Sequence, residues 1–345
     1  MAYVVKHATI YDVARVAGVS HQTVTRYLRG FEGIRPDTKE RVRRALSELN
    51  YHPNGAARLL RAQSINRIGI LAHKMEFSGP GQFITGAVRA AQAHGYFVDI
   101  ASVDGDESRS MENALQVLLE NRVSGIFATS QVKAIHETLE RYKFDVPVSL
   151  ASNRTGSAFD DPVSAMPGVL AATHLVELGH HRLGYISGPL DWLGTEHSRE
   201  GFFAESQRLG AEVLWTEEGD WSAQSGWAIA QRAPLRKLGI TAVAVSNDSM
   251  AIGFISGLHN RHVMVPQDIS VTGVDDAPDS QFVLPSLSTV KLNFSGAGAF
   301  MMESLISRIE GTNPPEPPDL NMRLIPRDST KTLTTDSIKR VIGLR

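Results

Sequence analysis

The composition of the chain excludes several classes of protein. Its 345 residues, 42% of them hydrophobic, are enough for more than one domain, and the absence of cysteine excludes disulfides and cysteine-ligated zinc. Residues 1–8 include Lys6 and His7 but no long apolar run, and no segment reaches the roughly 20 apolar residues that span a bilayer. We therefore expect a soluble, cytoplasmic protein without a signal peptide or membrane span.

Charge is distributed unevenly along the chain. Residues 1–62 hold 11 Lys and Arg against five Asp and Glu, a net charge of +6. The remaining residues hold 24 against 32, a net charge of −8. A small basic segment on an acidic body is what phosphate binding by one end requires. This asymmetry favours nucleic acid as a partner.

The residues from Thr9 to Leu28 predict two short helices joined by a tight turn. Thr9 can cap the first helix, with Asp12 three residues further on as in a capping box. Gly18 ends that helix because glycine tolerates a positive φ, and Ser20 can cap the second helix. Apolar residues four apart in the second helix face the first. This pattern indicates a helix-turn-helix.

The outward face of the second helix carries side chains that can read DNA. His21 and Thr25 are four residues apart, as are Gln22 and Arg26. Glutamine can bind adenine and arginine can bind guanine through paired hydrogen bonds in the major groove, where the first turns of a recognition helix approach the bases. The alternative is a helical hairpin with a solvated polar face.

A third helix and a linker follow. The helix opens at Pro36, runs to about Asn50 and has one apolar stripe, formed by Val42, Ala45, Leu46 and Leu49. Residues 1–53 are therefore predicted to be a DNA-binding head. Residues 54–66 have partly helical composition but are too short for a stable isolated helix, so we predict a linker that folds only in context. A disordered tether is the alternative.

From residue 67 onwards, apolar runs alternate with helical patterns. The predicted buried strands are residues 68–72, 97–101, 125–129, 146–151, 183–187, 242–246 and 269–274, with a last strand near 322–326. The predicted helices are residues 82–94, 111–121, 133–142, 168–178, 200–209, 223–237, 249–259 and 298–310. This rhythm is typical of α/β proteins with parallel sheets, which bind ligands beyond the carboxyl ends of their strands. The length of residues 67–345 predicts two lobes with a cleft between them.

Several segments resemble the LacI/GalR family of bacterial transcription repressors. In the head they are Ile10-Tyr-Asp-Val-Ala, Ala17-Gly-Val-Ser-His-Gln-Thr-Val-Thr-Arg26 and Leu49-Asn-Tyr-His-Pro-Asn54. In the body they include Gly219-Asp-Trp-Ser-Ala223, Ser246-Asn-Asp-Ser-Met-Ala251 and Val271-Thr-Gly-Val-Asp-Asp276, in family order. The resemblance implies an all-α helix-turn-helix head, a hinge helix and a two-lobed core like periplasmic binding proteins. It places the first lobe near 67–158 and 291–319, and the second near 159–290 and 320–345.

The resemblance also implies how the protein binds DNA. A homodimer places two heads on a pseudo-palindromic operator in double-stranded DNA, and a leucine of each hinge helix, here Leu60, wedges into the minor groove. The tail after Thr330 lacks a leucine heptad, so a dimer rather than a tetramer is expected. The candidate DNA-binding residues are Thr9, Ile10, Ser20, His21, Gln22, Thr23, Thr25, Arg26, Tyr51, Asn54, Ala57 and Leu60.

By the same resemblance, a small effector in the cleft controls DNA binding. We expect a sugar, and with it the repression of a carbohydrate-use operon. The candidate effector-binding residues are His73, Phe77, Thr129, Ser198, Trp221, Asn247 and Asp275. Asparagine and aspartate can hold sugar hydroxyls, and tryptophan offers a flat apolar wall to a pyranose. Three alternatives stay open: Asn247 could cap the next helix, Trp221 could be core, and Asp275 with Asp276 could form a turn.

Two departures from the family pattern concern the effector. The family usually has arginine where this chain has Ser198, although Arg199 is adjacent. The segment Leu150-Ala-Ser-Asn-Arg154 also lacks the aspartate often found there. The effector could therefore be unlike that of better-known members, and a nucleobase or a protein corepressor is the alternative within this class.

An enzyme and a transport binding protein are the competing classes. The chain has no Gly-x-Ser-x-Gly elbow, no phosphate-binding Gly-Lys-Ser/Thr loop and no His-Glu-x-x-His motif. We therefore expect no enzymatic activity, no metal and no cofactor. The basic head and the missing signal peptide argue against a transport protein.

Overall fold

The computed structural model of the chain describes residues 8–28, 31–49, 51, 66–103, 107–130, 132–150, 161–319 and 321–334. The chain divides into two compact units, residues 1–65 and 66–345, which we call the head and the body. The predicted DNA-binding residues Asn54, Ala57 and Leu60 lie outside the described residues, as does nearly all of the predicted linker.

The described part of the head contains the helices α1 (Ile10–Ala17), α2 (His21–Leu28) and α3 (Pro36–Glu48). The predicted capping box is present, since Thr9 N donates to Asp12 Oδ2 at 2.9 Å and Asp12 N donates to Thr9 Oγ1 at 3.3 Å. Gly18 ends α1 with a φ of 62°. Ser20 Oγ then accepts a hydrogen bond from Thr23 N at 3.2 Å. The predicted helix-turn-helix is confirmed.

A small apolar core joins the three helices. Its buried members are Val13, Ala14, Ala17, Val24, Val42 and Ala45. Two of the helices have only eight residues, so they are not stable alone in water. The contacts within this core therefore hold the surface of α2 in position.

The amino-terminal part of the body contains a parallel sheet whose described strands have the order β2-β1-β3-β4. The strands are β1 (Arg67–His73), β2 (Phe97–Val103), β3 (Gly125–Ala128) and β4 (Val148–Leu150). The connecting helices are α4 (Ser78–Ala93), α5 (Glu107–Glu120) and α6 (Lys133–Arg141). This part, together with the late helix α12 (Phe294–Glu310) that shares its core, forms the first lobe.

The second lobe contains a larger sheet with the order β10-β9-β8-β7-β5-β6 among the described strands. These are β5 (Arg182–Ser187), β6 (Glu212–Glu218), β7 (Ala242–Val245), β8 (Ser270–Asp275), β9 (Ser288–Lys291) and β10 (Arg323–Ile325). Its helices are α7 (Asp161–Glu177), α8 (Leu193–Arg208), α9 (Ala223–Arg232), α10 (Leu235–Leu238) and α11 (Asp248–Asn260). The two-lobed α/β fold is confirmed. The predicted lobe boundaries stay predictions, because the first falls in residues 151–160, outside the described ranges.

Some predictions for strands were wrong. The strand predicted at residues 97–101 is not buried: β2 lies at a sheet edge, and Phe97 is 67% exposed. The strands β6 and β9 were not predicted, because β6 is a polar edge strand and β9 begins with two polar residues, Ser288 and Thr289, rather than an apolar run. The last strand, predicted near residues 322–326, is present as β10 and pairs antiparallel with β9.

The helix predicted over residues 223–237 is also wrong as a single element. It ends at Arg232, and the short helix α10 begins only at Leu235. Pro234 lies between them, and proline has no N–H to continue the helical hydrogen bonds.

Three pairs of helices cross with their backbones in direct contact. The pairs are α4 with α12, α7 with α8, and α9 with α11. Glycines occupy both sides of each crossing: Gly86 and Gly298, Gly168 and Gly201, Gly226 and Gly253. A Cβ at any of these positions would overlap a backbone carbonyl of the partner helix. Each crossing therefore requires glycine on both helices.

The segment after β10 crosses the second lobe and is held there by the buried His180 and the half-buried His174. His180 Nε2 lies 3.0 Å from the carbonyl oxygen of Lys331 and must donate to it, which leaves Nδ1 to face Thr241 Oγ1 at 3.0 Å. His174 Nε2 lies 2.9 Å from Thr330 Oγ1. Burial lowers the pKa of His180 to about 4 and also lowers the pKa of His174. Both histidines are therefore held neutral.

We predict that His180 makes the body sensitive to acid. As pH falls below the ordinary histidine pKa of 6.5, the unfolded chain takes up a proton that folded His180 refuses until about pH 4. The free energy of unfolding therefore falls over this window, by about 2 kcal/mol between about pH 7 and pH 5. His180→Gln should be less stable at neutral pH but lose less on acidification, as measured by urea unfolding. An unchanged pH dependence in the variant would contradict this assignment.

Candidate functional site

The exposed face of α2 forms a polar surface on the head. His21, Gln22 and Arg26 are exposed, while Thr23 and Thr25 are half-buried. Thr25 Oγ1 donates to the carbonyl oxygen of His21 at 2.9 Å, so its hydroxyl proton is already engaged. Three exposed side chains on two turns of a helix therefore remain for contacts with a partner.

Two aromatic side chains support this surface, and sequence reasoning missed both. The Tyr11 ring lies 5.2 Å from the His21 ring, and the Arg26 guanidinium lies 5.5 Å from the centre of the Phe31 ring. Such a cation–π contact is worth about 0.5–1 kcal/mol at an exposed site. Phe31 therefore limits the freedom of Arg26 before any partner binds.

The other described DNA-binding candidates differ in accessibility. Thr9 and Ser20 are exposed, but both cap helices. Ile10 and Tyr51 are half-buried and pack against the core of the head.

A cavity of about 140 Å³ lies in the body and is lined by residues of both lobes. Thr129, Ser246 and Asp275 line it from the carboxyl ends of β3, β7 and β8. This is the position where parallel α/β sheets bind ligands. Six of the seven predicted effector-binding residues line the cavity: Phe77, Thr129, Ser198, Trp221, Asn247 and Asp275. His73 is buried behind them, with its ring 5.4 Å from the ring of Trp192.

Asn247 lines the cavity and also caps α11. Its Oδ1 accepts a hydrogen bond from Met250 N at 2.9 Å, and its Nδ2 donates to the carbonyl oxygen of Trp221 at 3.0 Å. Trp221 has a φ of 73°, which is unusual for a bulky residue. The capping alternative is therefore correct for Asn247, and the same amide holds the backbone that carries the Trp221 indole.

The adjacent Asp275 and Asp276 have opposite environments. Burial, with a smaller contribution from Asp248, raises the pKa of Asp275 well above its usual value, and the described chain offers its carboxylate no hydrogen bond. Asp276 is paired with Arg327 and with Lys291 at 2.9 Å, and these partners outweigh burial and lower its pKa. Both have positive φ, 115° and 53°, where β8 ends at Asp275. Backbone strain of this kind persists where the surrounding structure enforces it, often at binding sites.

Comparison with known proteins agrees with this geometry. Residues 9–54 match the model of bacterial regulatory proteins of the lacI family, and residues 172–330 match a periplasmic binding protein-like domain. The lactose operon repressor of Escherichia coli (strain K12) is 30% identical over 314 residues, which cover 89% of this chain and 86% of the relative. The chain belongs to the lacI family.

Further similarities extend along most of this lacI-family chain. The ribose operon repressor of Escherichia coli (strain K12) is 30% identical over 309 residues, covering 88% of this chain and 93% of the relative. A crystal structure of the lac repressor dimer bound to operator and the anti-inducer ONPF has a TM-score of 0.77 at 29% identity. It covers 94% of this chain and 100% of that chain.

The cavity of this lacI-family protein also contains residues that sequence reasoning missed. Trp192 and Thr195 come from the start of α8, and Phe83 and Phe294 come from the first lobe. The Trp192 and Trp221 rings meet edge to face, with centres 5.4 Å apart. The rule that ligands bind beyond strand ends could have pointed to the loop after β5. It could not have found Phe294, because β9 was not predicted.

An apolar groove lies on the outside of the second lobe. It is lined by α11 and the following loops, with Ile252, Ile255, Met264, Val283 and Leu284 among its residues. Leu284 is 93% exposed, and the adjacent Phe282 is 76% exposed. A cluster of exposed large apolar side chains is typical of a protein–protein interface.

Two kinds of feature do not occur within the described ranges. None of the helices there is long and apolar enough to cross a membrane. No three His, Asp or Glu side chains in those same ranges are grouped as metal ligands.

Proposed function

We propose that the protein is a sequence-specific operator-binding repressor whose affinity for DNA is controlled by a small molecule in the body cavity. The observation that carries this proposal is the exposed trio His21, Gln22 and Arg26 on α2 of a basic helix-turn-helix head. These residue types suit base edges in the major groove. The names of the lactose and ribose operon repressors support the same role.

We propose a sugar as the effector, and therefore control of a carbohydrate-use operon in the cytoplasm. The free Asp275 carboxylate can accept hydrogen bonds from hydroxyl groups, and the Trp221 indole can pack against an apolar ring face. Both named relatives control operons for sugars.

We propose that the chain acts as a homodimer through the apolar groove. Burial of Phe282 and Leu284 against a second copy would remove the largest exposed apolar side chains of this region from water. The lac repressor in the similar operator complex is a dimer. Two-fold symmetry of the protein matches a pseudo-palindromic operator. The hinge roles of Asn54, Ala57 and Leu60 belong to this proposal as well.

Contacts between the lobes provide a means of control. Val132 and Trp192 pair as an isolated β-bridge, and Lys133 Nζ lies 2.7 Å from Glu196 Oε2. Trp192 also lines the cavity. A ligand that moves Trp192 would change these contacts, so it would bind one lobe arrangement more tightly than the other. That difference in affinity is the requirement for an allosteric effect.

The basic function is tested by gel-shift selection with genomic fragments, followed by titrations at several salt concentrations. Selection of a two-fold symmetric fragment, with affinity that falls steeply as salt rises, is expected from phosphate contacts. Absence of any selected sequence would overturn the proposal.

We predict that Arg26→Ala weakens binding to the selected operator by about 1–3 kcal/mol and relaxes the preference at one base pair per half-site. The reason is that a guanidinium reads two acceptors of one base. Fluorescence anisotropy with substituted operators measures both effects. Arg43→Ala is the control, because Arg43 on α3 is paired with Glu40 at 2.9 Å. A loss for Arg26→Ala that is equal on every sequence would make Arg26 a phosphate contact.

A further inference from the structure

The described lining of the effector cavity carries almost no charge. Among the described residues that line it, Asp275 is the one with an ionisable side chain. Arg199, adjacent to Ser198, does not line the cavity; its guanidinium lies 5.3 Å from the centre of the Phe203 ring. An anionic ligand would therefore meet the Asp275 carboxyl group and, among the described lining residues, no cation, which is strongly unfavourable in a buried site.

Most of the polar side chains around the cavity are already bonded within the protein. Thr129 Oγ1 accepts from His73 N at 3.1 Å. Ser246 Oγ lies 3.0 Å from Tyr185 Oη and 2.9 Å from the carbonyl oxygen of Ile186. The amide of Asn247 has a partner on each side. These groups close the cavity wall but offer little to a ligand.

Three lining groups in the described chain have no protein partner. Trp221 Nε1 and Thr195 Oγ1 are buried without a hydrogen bond, and the Asp275 carboxylate also has none. Buried polar groups are rarely left unsatisfied, so a ligand is the natural partner for them. All three belong to the second lobe, which gives the cavity a single polar side.

The remaining surface of the cavity is aromatic and aliphatic. Phe77, Phe83 and Phe294 line it from the first lobe, and Trp192 adds a fourth ring from the second. Its volume of about 140 Å³ is close to that of a cavity that holds one benzene-sized ring. A fully hydroxylated hexose would bury several hydroxyl groups against carbon. Each unpaired hydroxyl lowers affinity roughly five- to a hundredfold.

We propose that the cavity selects an uncharged, single-ring ligand with hydroxyl groups along one edge and an otherwise apolar outline. A deoxy sugar and a hydroxylated aromatic ring share this chemistry. Fully hydroxylated hexoses and phosphorylated or carboxylated compounds do not. The inference rests on the proposed function, since it concerns the small-molecule effector of the same site.

Calorimetry on the full-length chain without DNA tests the inference. Each 6-deoxyhexose of the gluco, galacto and manno series is compared with its parent hexose and the hexose 6-phosphate, and benzyl alcohol is compared with benzoate. In each sugar series that binds, the 6-deoxyhexose should bind at least about tenfold more tightly than the parent hexose and the phosphate. If the aromatic pair binds, benzyl alcohol should exceed benzoate by at least the same factor. Whichever of the 6-deoxyhexoses and benzyl alcohol binds more tightly identifies the chemical class of the effector, a deoxy sugar or a hydroxylated aromatic ring. Preference for a parent hexose or an anion, or binding of no neutral compound at millimolar concentration, would overturn the inference.

Matched variants test the three free groups. Thr195→Val removes one hydroxyl group with little change in shape, and Trp221→Phe removes the indole N–H together with part of the ring, so each should weaken the best compound at least about tenfold. Thr272→Val is the control, because Thr272 Oγ1 is likewise buried without a partner in the described chain but does not line the cavity. Equal affinities in all three variants would overturn the inference. Because no DNA is present, this result does not depend on operator binding. A failure to bind any operator would contradict the proposed function and leave the inference about the ligand intact.

Discussion

Asp275→Asn is expected to give a repressor that binds operator as tightly as the wild type but no longer responds to the effector. The Asp275 carboxyl group lines the cavity and has no hydrogen bond within the described chain, so both of its oxygens are open to a ligand hydroxyl. Asparagine keeps the shape but replaces one acceptor oxygen with a donor that opposes the ligand's hydroxyl. The effector concentration for half-release should rise about tenfold to a hundredfold. Anisotropy titrations of labelled operator, with and without the compound that calorimetry identifies, measure it.

Asp276→Asn is the matched control for this prediction. Asp276 is paired with Lys291 and Arg327 and does not line the cavity, so its loss should lower stability while leaving the response to effector intact. An unchanged response in Asp275→Asn would move the effector site elsewhere. Loss of operator binding in the absence of effector would make Asp275 a structural residue.

Leu284→Arg is expected to abolish the dimer and to reduce operator affinity more than a hundredfold. Leu284 is almost fully exposed, so arginine should not disturb the folded chain. In a dimer, the same change would place two charges in an apolar interface, where their desolvation is strongly unfavourable. A monomer holds one half-site only and loses the gain from the linked second head. Sedimentation velocity and operator titration measure the two effects.

Tyr142→Arg provides a comparable change outside the apolar groove. Tyr142 follows α6 in the first lobe and is 49% exposed. This variant should sediment as the wild type does and bind operator normally. A Leu284→Arg protein that remains dimeric would show that the copies associate through another surface.

The predictable parts of the fold were those with strong local signals. The ends of the head helices are defined by Thr9, Gly18 and Ser20 through short-range hydrogen bonds and one positive φ. Each of these signals lies within four or five consecutive residues, so the sequence shows it directly. Buried central strands such as β7 and β8 appear as continuous apolar runs. Edge strands do not, because water covers one side of them. Ser288 and Thr289 of β9 are buried through hydrogen bonds to distant side chains, which no local window contains.

The candidate site was predictable only where its residues follow buried strands. Thr129 and Asp275 follow buried strands, so the strand-end rule alone points to them. Trp192 and Phe294 belong to different lobes, and only the folded chain brings them to one cavity. Asp276 is paired and Asp275 is not, and this difference depends on Lys291 and Arg327, which come later in the chain and bind only Asp276 among the two.

The glycine crossings have a consequence for how far this sequence can diverge. With carbonyls packed directly against Cα atoms, a helix in such a pair cannot slide or rotate past its neighbour without overlap. Each of these helix pairs therefore resists relative movement of its two helices. The six glycines contact neither operator nor effector in this account, yet even alanine is too large for them. Substitutions that change the recognised operator or effector can therefore accumulate far more readily than substitutions of these six glycines.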